Sequence, residues 1–260
     1  MRIGILGALN EEVAALRDDM RSPSESTMGV RGYWSGRIFG TDVTLTISRI
    51  GKVASASTAT SLIAHYKVDA IVFVGVAGGI DPGLSIGDIV VATDLVQHDL
   101  DARPLFNQFE IPALGMDRIP THPQMRHLAV AASRTFLSSD LQSDVPSQVL
   151  RELAITHPKV VQGLVASGDR FIHHGASVVK LRSDLPGIQC VEMEGAAVAQ
   201  VCHEHNLPFV VIRVISDSAN HEAKGSFTNF IKHAAGRYSR GILRNLLPVL
   251  DEQFVTREHG

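Results

Sequence analysis

The sequence predicts an α/β fold with a largely parallel sheet covered on both faces by helices. Three observations carry this reading. Short runs at 70–74 and, but for Arg213, at 209–215 are apolar without alternation, the pattern of strands buried on both sides. Segments with apolar residues at helical spacing lie between such runs, so strands and helices alternate along the chain. Glycine is frequent, at 22 of 260 residues, and aromatics make up only 5%, a composition suited to tight turns that approach a ligand.

Each element follows from its local pattern. Residues 1–7 (MRIGILG) form an apolar run that stops at Gly7, as a buried strand does. Asn10 is placed to cap a helix with Val13, Leu16 and Met20 on one stripe. Residues 29–50 alternate weakly, with Gly32, Gly36 and Gly40 as turns, and read as antiparallel strands ending in VTLTISRI. A helix over 52–66 sets Val53, Ala56, Ala59, Leu62 and Ile63 at helical spacing. The strand at 70–74 runs into a glycine turn, Gly75-Val76-Ala77-Gly78-Gly79, followed by a second turn at Asp81-Pro82-Gly83 and a strand at 88–93. Residues 99–122 are irregular, with Pro104, Pro112, Gly115 and Pro120, and read as a surface excursion with its core at 103–122. A helix at 123–136, a polar loop at 138–148, a strand at 160–166 and a helix at 176–185 follow. Then come a strand end at 190–193, a helix at 195–205 and the strand at 209–215. The last elements are a long helix at 227–250, with Pro248 as a candidate break, and a polar tail at 251–260. No repeat, linker or low-complexity segment divides the chain, so residues 1–260 read as one domain.

Composition excludes several classes. Lys plus Arg is 24 and Asp plus Glu is 27, a net charge of −3, too balanced for a dedicated nucleic-acid binder. An apolar content of 45% excludes a mostly disordered chain. No stretch approaches the roughly 18 apolar residues of a membrane span. The start, MRIGILGALNEEV, is not expected to be a signal peptide, because Asn10, Glu11 and Glu12 interrupt its apolar run. Cys190 and Cys202 cannot make a disulfide framework, which points to a reducing, cytoplasmic setting.

The informative polar residues sit at the ends of apolar strands, where α/β sheets bind ligands. Glu11 and Glu12 follow the first strand, the glycine segment 75–79 follows the next, and Glu192-Met193-Glu194 and Arg213, Ser216 and Asp217 close the last two. Each has a plainer explanation. A Glu pair opening a helix favours the dipole, Asp217 can cap the following segment, and the glycines can simply turn the chain. Their joint placement nonetheless sets carboxylates, one guanidinium and a glycine floor around one crevice, and an acid between apolar neighbours is costly unless it is used. Cys202-His203-Glu204-His205 does not predict a metal site, because only Cys202 and His205 share a helix face and no second pair completes a tetrahedron. GILGA lacks G-x-G-x-x-G, so no dinucleotide site is expected.

These residues resemble the 5′-methylthioadenosine/S-adenosylhomocysteine nucleosidase family of the purine nucleoside phosphorylase superfamily. The matching segments are IGILGALNEEV at 3–13, IGKVASA at 50–56, GVAGGIDPGLSIGDIVVA at 75–92, QHDLDA at 97–102, SGDRFI at 167–172, VEMEGAAVAQVC at 191–202 and VIRVISDSAN at 211–220, with Ser226-Phe227 beyond. The resemblance implies a three-layer sandwich with a central mixed, mostly parallel twisted sheet, a homodimer, no metal or organic cofactor, and hydrolysis of the N-glycosidic bond of adenosines carrying a 5′-thio substituent.

The resemblance also implies roles. Asp217 is the general acid that protonates the departing adenine, and Glu12 is the base that orients and deprotonates water. Glu194 binds the ribose hydroxyls and, with Met193 and Glu192, surrounds the sugar. Arg213 and Ser216 stand around the water and Asp217. Phe171 stacks on the purine, the Ile172 backbone reads its edge, and Val76, Ala77 and Gly78 line the nearby floor. Leu9, Ile50 and Phe227 make an apolar 5′ pocket, with Ala102 and Leu105 reaching over from a second subunit. Three departures stand out. Val76 replaces a serine found in some members, Arg49 replaces a small residue and adds a cation that can draw an anion, and residues 103–122, expected over the 5′ pocket, differ from the shorter common version. Two alternatives remain at this level: phosphorolysis, disfavoured by a carboxylate at the nucleophile position, and a non-catalytic sensor of adenosine derivatives, disfavoured by retention of Glu12, Glu194 and Asp217.

Overall fold

A computed structural model of the chain describes residues 1–112, 114–219 and 223–255, with side chains to 253. The expected α/β architecture is present, a central mixed sheet flanked by helices. Among the described residues ten strands are formed: β1 (Arg2–Gly7), β2 (Arg21–Met28), β3 (Arg31–Ile38), β4 (Thr41–Ile47), β5 (Ala70–Gly79), β6 (Ile89–Gln97), β7 (Ile119–Pro120), β8 (Val160–Ser167), β9 (Ile188–Glu192) and β10 (Phe209–Asp217). The helices are α1 (Asn10–Asp18), α2 (Lys52–Ala64), α3 (Pro123–Thr135), α4 (Leu141–Asp144), α5 (Ser147–Glu152), α6 (Gly175–Asp184), α7 (Gly195–Glu204), α8 (Ala223–Phe230) and α9 (Gly236–Val255).

The sheet runs β10-β6-β8-β9-β5-β1-β4-β3-β2, and β10 also pairs with β5. Five strands therefore close into a ring, and β1, β4, β3 and β2 extend from it as an open wing. Five of the ten pairings are parallel: β1–β4, β1–β5, β5–β10, β6–β8 and β8–β9. The parallel share is lower than the alternating pattern predicts, because ring closure needs antiparallel β10–β6 and β5–β9 contacts.

Burial on both faces explains the apolar runs. Along β5, Val72 and Val74 join a core with Val13, Leu16, Leu243 and Leu246 on one side, whereas Ile71 and Phe73 join Leu62, Ala196 and Ala199 on the other. The alternation assigns α1, α3 and α9 to one layer and α2 and α7 to the other. Among the described residues no helix is long and apolar enough to cross a membrane, and both cysteines are free and buried.

Several local expectations are corrected. β2 (RSPSESTM) has almost no buried face; it is an edge strand whose pairing slips between Arg21 and Ser24, beside Pro23, so no apolar alternation announces it. The expected loop at 138–148 is helical for most of its length, a π-turn over Phe136–Asp140 leading into α4 and then α5. Phe136, Leu141, Val145 and Leu150 anchor it at spacings stretched by the π-turn. The C-terminal helix starts at Ala223, passes through a π-turn at Ile231–Ala235 and continues through Pro248. Residues 251–255 of the expected tail are thus helical, while 256–260 lie outside the described residues, as do Asn220 of the 211–220 motif and Ala113 of the excursion. Helix α1 begins at Asn10 itself, with Leu9 at the capping position. Finally, the glycine segment 75–79 is not a turn but the second half of β5, for a reason that lies in the site.

Candidate active site

The carboxyl ends of β1, β5, β9 and β10 meet at one cavity of about 340 Å³, at the small end of ligand-site volumes. Glu12 enters from the first turn of α1 and is 2% exposed. Its Oε2 accepts from the Ala8 N–H at 2.6 Å and the Leu9 N–H at 2.8 Å, and its Oε1 accepts from the Val76 N–H at 3.1 Å. The first two bonds are those of a capping glutamate. The third crosses to β5, and it requires Gly75: a Cβ there would lie 2.8 Å from Oε1. Burial raises the Glu12 pKa above the usual carboxylate value, opposed by the N–H donors and the Arg213 guanidinium.

Asp217 closes β10, paired with Gly78 across an irregularity after Ile215. The Ser216 Oγ donates to its Oδ2 at 2.9 Å and the Ala219 N–H to its Oδ1 at 2.8 Å. A Cβ on Gly78 would lie 3.1 Å from Oδ1, so this glycine too admits a carboxylate against the strand. Burial holds the Asp217 carboxyl above its ordinary range. The anchors of the two acids, Val76 and Gly78, are two residues apart on β5, about 7 Å at ~3.3 Å per residue.

Glu194 follows β9. The Gly51 N–H donates to its Oε1 at 2.9 Å, and burial together with the Glu192 charge pushes its pKa up to about 8. Glu192 is fully engaged. Its carboxylate accepts from the Ser167 hydroxyl, from the Gly195 N–H at 2.8 and 2.9 Å, from the Glu194 N–H at 3.2 Å and from Arg213 Nη2 at 2.8 Å. Arg213 is 1% exposed, with its guanidinium 4.1 Å over the Phe73 ring. It sits in mid-strand rather than at the strand end and does not itself line the cavity, but its charge acts on Glu12, and a Cβ on Gly75 would lie 3.5 Å from its Nη1. Its visible work is to hold Glu192, and through it the turn that aims Glu194.

Leu9, Ile50, Val76 and Phe227 supply apolar wall, Ala77 and Gly78 the floor, and Met193 and Ser216 complete the lining beside the acids. Phe171 stands at the mouth, 42% exposed, edge-on to Phe227 with centroids 5.6 Å apart. Ile172 lines a small adjoining recess with Asp217 and Gly78. Ala102 and Leu105 do not reach the cavity within one chain, and Leu105 is 83% exposed. Among the described residues of 103–122, none lines the cavity either. Arg49 is turned away, donating to the Val30 carbonyl at 2.7 Å. Sequence reasoning missed Ala8 and Val191 in the lining, and Gly51 and Ser167 as the donors that fix Glu194 and Glu192. For the last two the only signal was position, just before Lys52 and at the head of SGDRFI.

Residues 2–247 match the family model of the phosphorylase superfamily, and the chain belongs to that superfamily. The chain is 37% identical over 237 residues to 5′-methylthioadenosine/S-adenosylhomocysteine nucleosidase of Anoxybacillus flavithermus, covering 90% of this chain and 93% of that one. Among solved structures, the same-named nucleosidase of Neisseria meningitidis in complex with methylthio-immucillin-A superposes with a TM-score of 0.83 at 31% identity, covering 95% of this chain and 99% of that one. Futalosine hydrolase of Helicobacter pylori superposes at 0.79 with 32% identity, covering 97% and 98%. Within the superfamily, the chain is a member of the 5′-methylthioadenosine/S-adenosylhomocysteine nucleosidase family.

Proposed function

We propose that the protein hydrolyses the N-glycosidic bond of 5′-substituted adenosines, releasing adenine and the free ribosyl product. The observation that carries this reading is that Glu12 and Asp217, both buried and both with raised pKa, open into one cavity at the two ends of a strand segment about 7 Å long. Inverting glycosidases likewise pair an acid with a base on opposite sides of the reacting carbon, with room for water between.

Adenine leaves poorly as an anion, so a proton must reach its five-membered ring as the bond stretches. Burial raises the Asp217 pKa, which favours its protonated form, and Asp217 acts as that donor. Positive charge grows on the sugar, and Glu194 meets it. The charge that develops lowers the proton affinity of Glu194, so its carboxylate stabilises the transition state more than the ground state. Glu12, steadied by three backbone N–H groups, orients water on the far face and takes its proton. Phe171 stacks on the purine and Ile172 reads its edge. Methylthioadenosine, S-adenosylhomocysteine, 5′-deoxyadenosine and aminodeoxyfutalosine all fit this chemistry, and the kinship with both nucleosidases and a futalosine hydrolase supports that breadth.

Phosphorolysis is not favoured. Among the described residues no lysine or arginine lines the cavity, and the buried Arg213 is already paired with Glu192 while its charge also acts on Glu12, so a phosphate would meet the Glu12 carboxylate with no unpaired cation in the lining to receive it. A homodimer in which Ala102 and Leu105 of a second copy close the 5′ side is part of the proposal; the exposure of Ile50 and Leu105 supports it. Two buried free thiols support a reducing, cytoplasmic setting. The test is adenine release from the four nucleosides in phosphate-free buffer. Release at full rate supports hydrolysis; strict dependence on added phosphate, or no release, overturns it.

A further inference from the structure

Two loops that reach the cavity, at Ile50 and Phe171, are tied together by one side chain from the segment after β6, on none of the catalytic strands. Asp99 follows β6. Its Oδ1 accepts from Lys52 Nζ at 2.6 Å and its Oδ2 from the Asp169 N–H at 2.8 Å. Asp169 in turn accepts from the Lys52 N–H at 2.8 Å, which closes a cycle. Lys52 Nζ also donates to Gln97 Oε1 at 3.1 Å. The residue before Lys52 is Gly51, whose N–H grips Glu194; two residues past Asp169 is Phe171.

We infer that Asp99, through Lys52 and Asp169, braces the ribose clamp and the purine-facing aromatic at a fixed separation, and so is a positioning residue for nucleoside binding. The inference rests on the nucleosidase reading above. An exposed ion pair of this kind contributes little to stability on its own. Here the Lys52 and Asp99 side chains are only 18% and 24% exposed, and both carboxylate oxygens are used, one of them on a backbone donor in a different loop. The cycle also fixes the backbone at Gly51, where φ is +101° and a Cβ would lie 3.1 Å from Asp169 Oδ1. Burial alone would raise the Asp99 pKa; the Lys52 ammonium and the Asp169 N–H hold it below the usual value, as expected of a carboxylate kept charged for this contact.

The test is Asp99→Asn. Both partners are donors, so an asparagine presents its NH₂ to one of them whichever way it flips, and one arm opens. The expected result is a KM raised up to about tenfold as binding must restore the relaxed loop separation, with kcat little changed and Tm lowered by no more than a few degrees. Hydrogen exchange over residues 168–172 should quicken, and the effect on KM should be sub-additive with Phe171→Ala, since both act on the same contact. Should Asp99→Asn fail to fold, Lys52→Met opens only the ammonium arm and is read in the same way. An unchanged KM in an active enzyme, or strict additivity with Phe171→Ala, overturns the brace. The exchange measurement needs no turnover, so unaltered exchange overturns it even if the wild type proves inactive on every nucleoside, which would separately refute the nucleosidase reading.

Discussion

Asp217→Asn separates the chemistry from the fold. The asparagine Oδ1 can still accept from the Ala219 N–H, and the Ser216 hydroxyl, which donates to Oδ2 at 2.9 Å, can rotate to accept from the new NH₂. Both native contacts therefore survive, the one to Ser216 with its direction reversed, and the variant should melt close to the wild type. What disappears is the proton. A positioned acid contributes roughly 10²–10⁴ in rate, so kcat should fall by that factor, about 3–5 kcal/mol of barrier at 1.36 kcal/mol per decade. The assay is adenine release from methylthioadenosine, with a thermal melt beside it. A nucleoside whose leaving group departs without protonation should recover most of the lost rate in Asp217→Asn and little of it in Glu12→Gln. A kcat within a few-fold of wild type, or an equal response of both variants to the better leaving group, would refute the assignment of the acid.

Three further outcomes are expected. Glu12→Gln must turn an NH₂ toward at least one of the three N–H groups that its carboxylate accepts from, so it should lose turnover by orders of magnitude and also about 1–3 kcal/mol of stability, read by denaturant unfolding. Phe171→Ala should raise KM about tenfold, from the roughly 1–3 kcal/mol of base–aromatic stacking, with a smaller change in kcat; an unchanged KM would remove Phe171 from the purine site. For Glu194 the fold raises the pKa from 4.5 to about 8, so its stabilising contribution is complete below 4.5 and is lost as pH rises towards about 8. The wild-type Tm should accordingly fall more steeply across that window than the Tm of Glu194→Gln, measured by scanning calorimetry.

Much of the fold was legible because burial on both faces leaves a simple record. The run of β5 has no polar side chain and that of β10 only Arg213 before its last two residues, so strand identity and the location of the crevice follow directly. Reading was weaker where a residue serves two purposes. Glu12 looks like an ordinary capping acid because it is one, and only its bond to the Val76 N–H on β5 reveals the other role. The glycines at 75 and 78 look like a turn, since sequence alone cannot distinguish a chain that must bend from a strand that must admit a carboxylate. Arg213 reads as a site cation, and its partner Glu192 lies 21 residues away, so nothing local predicts that Arg213 is buried in mid-strand with its guanidinium paired to a lining carboxylate. β2 and the 138–148 segment are less legible for other reasons: β2 is a polar edge strand held by its neighbour, and the apolar anchors of 138–148 fall at spacings stretched by the π-turn.

The most direct test of the central claim is a crystal structure with a non-hydrolysable nucleoside analogue bound. The account predicts the Asp217 carboxyl within about 3.2 Å of a ring nitrogen of the purine, with the Glu12 carboxylate and an ordered water on the opposite face of the sugar. A nucleoside bound with both carboxyls on one face, or with Glu12 shielded from the anomeric carbon, would contradict it.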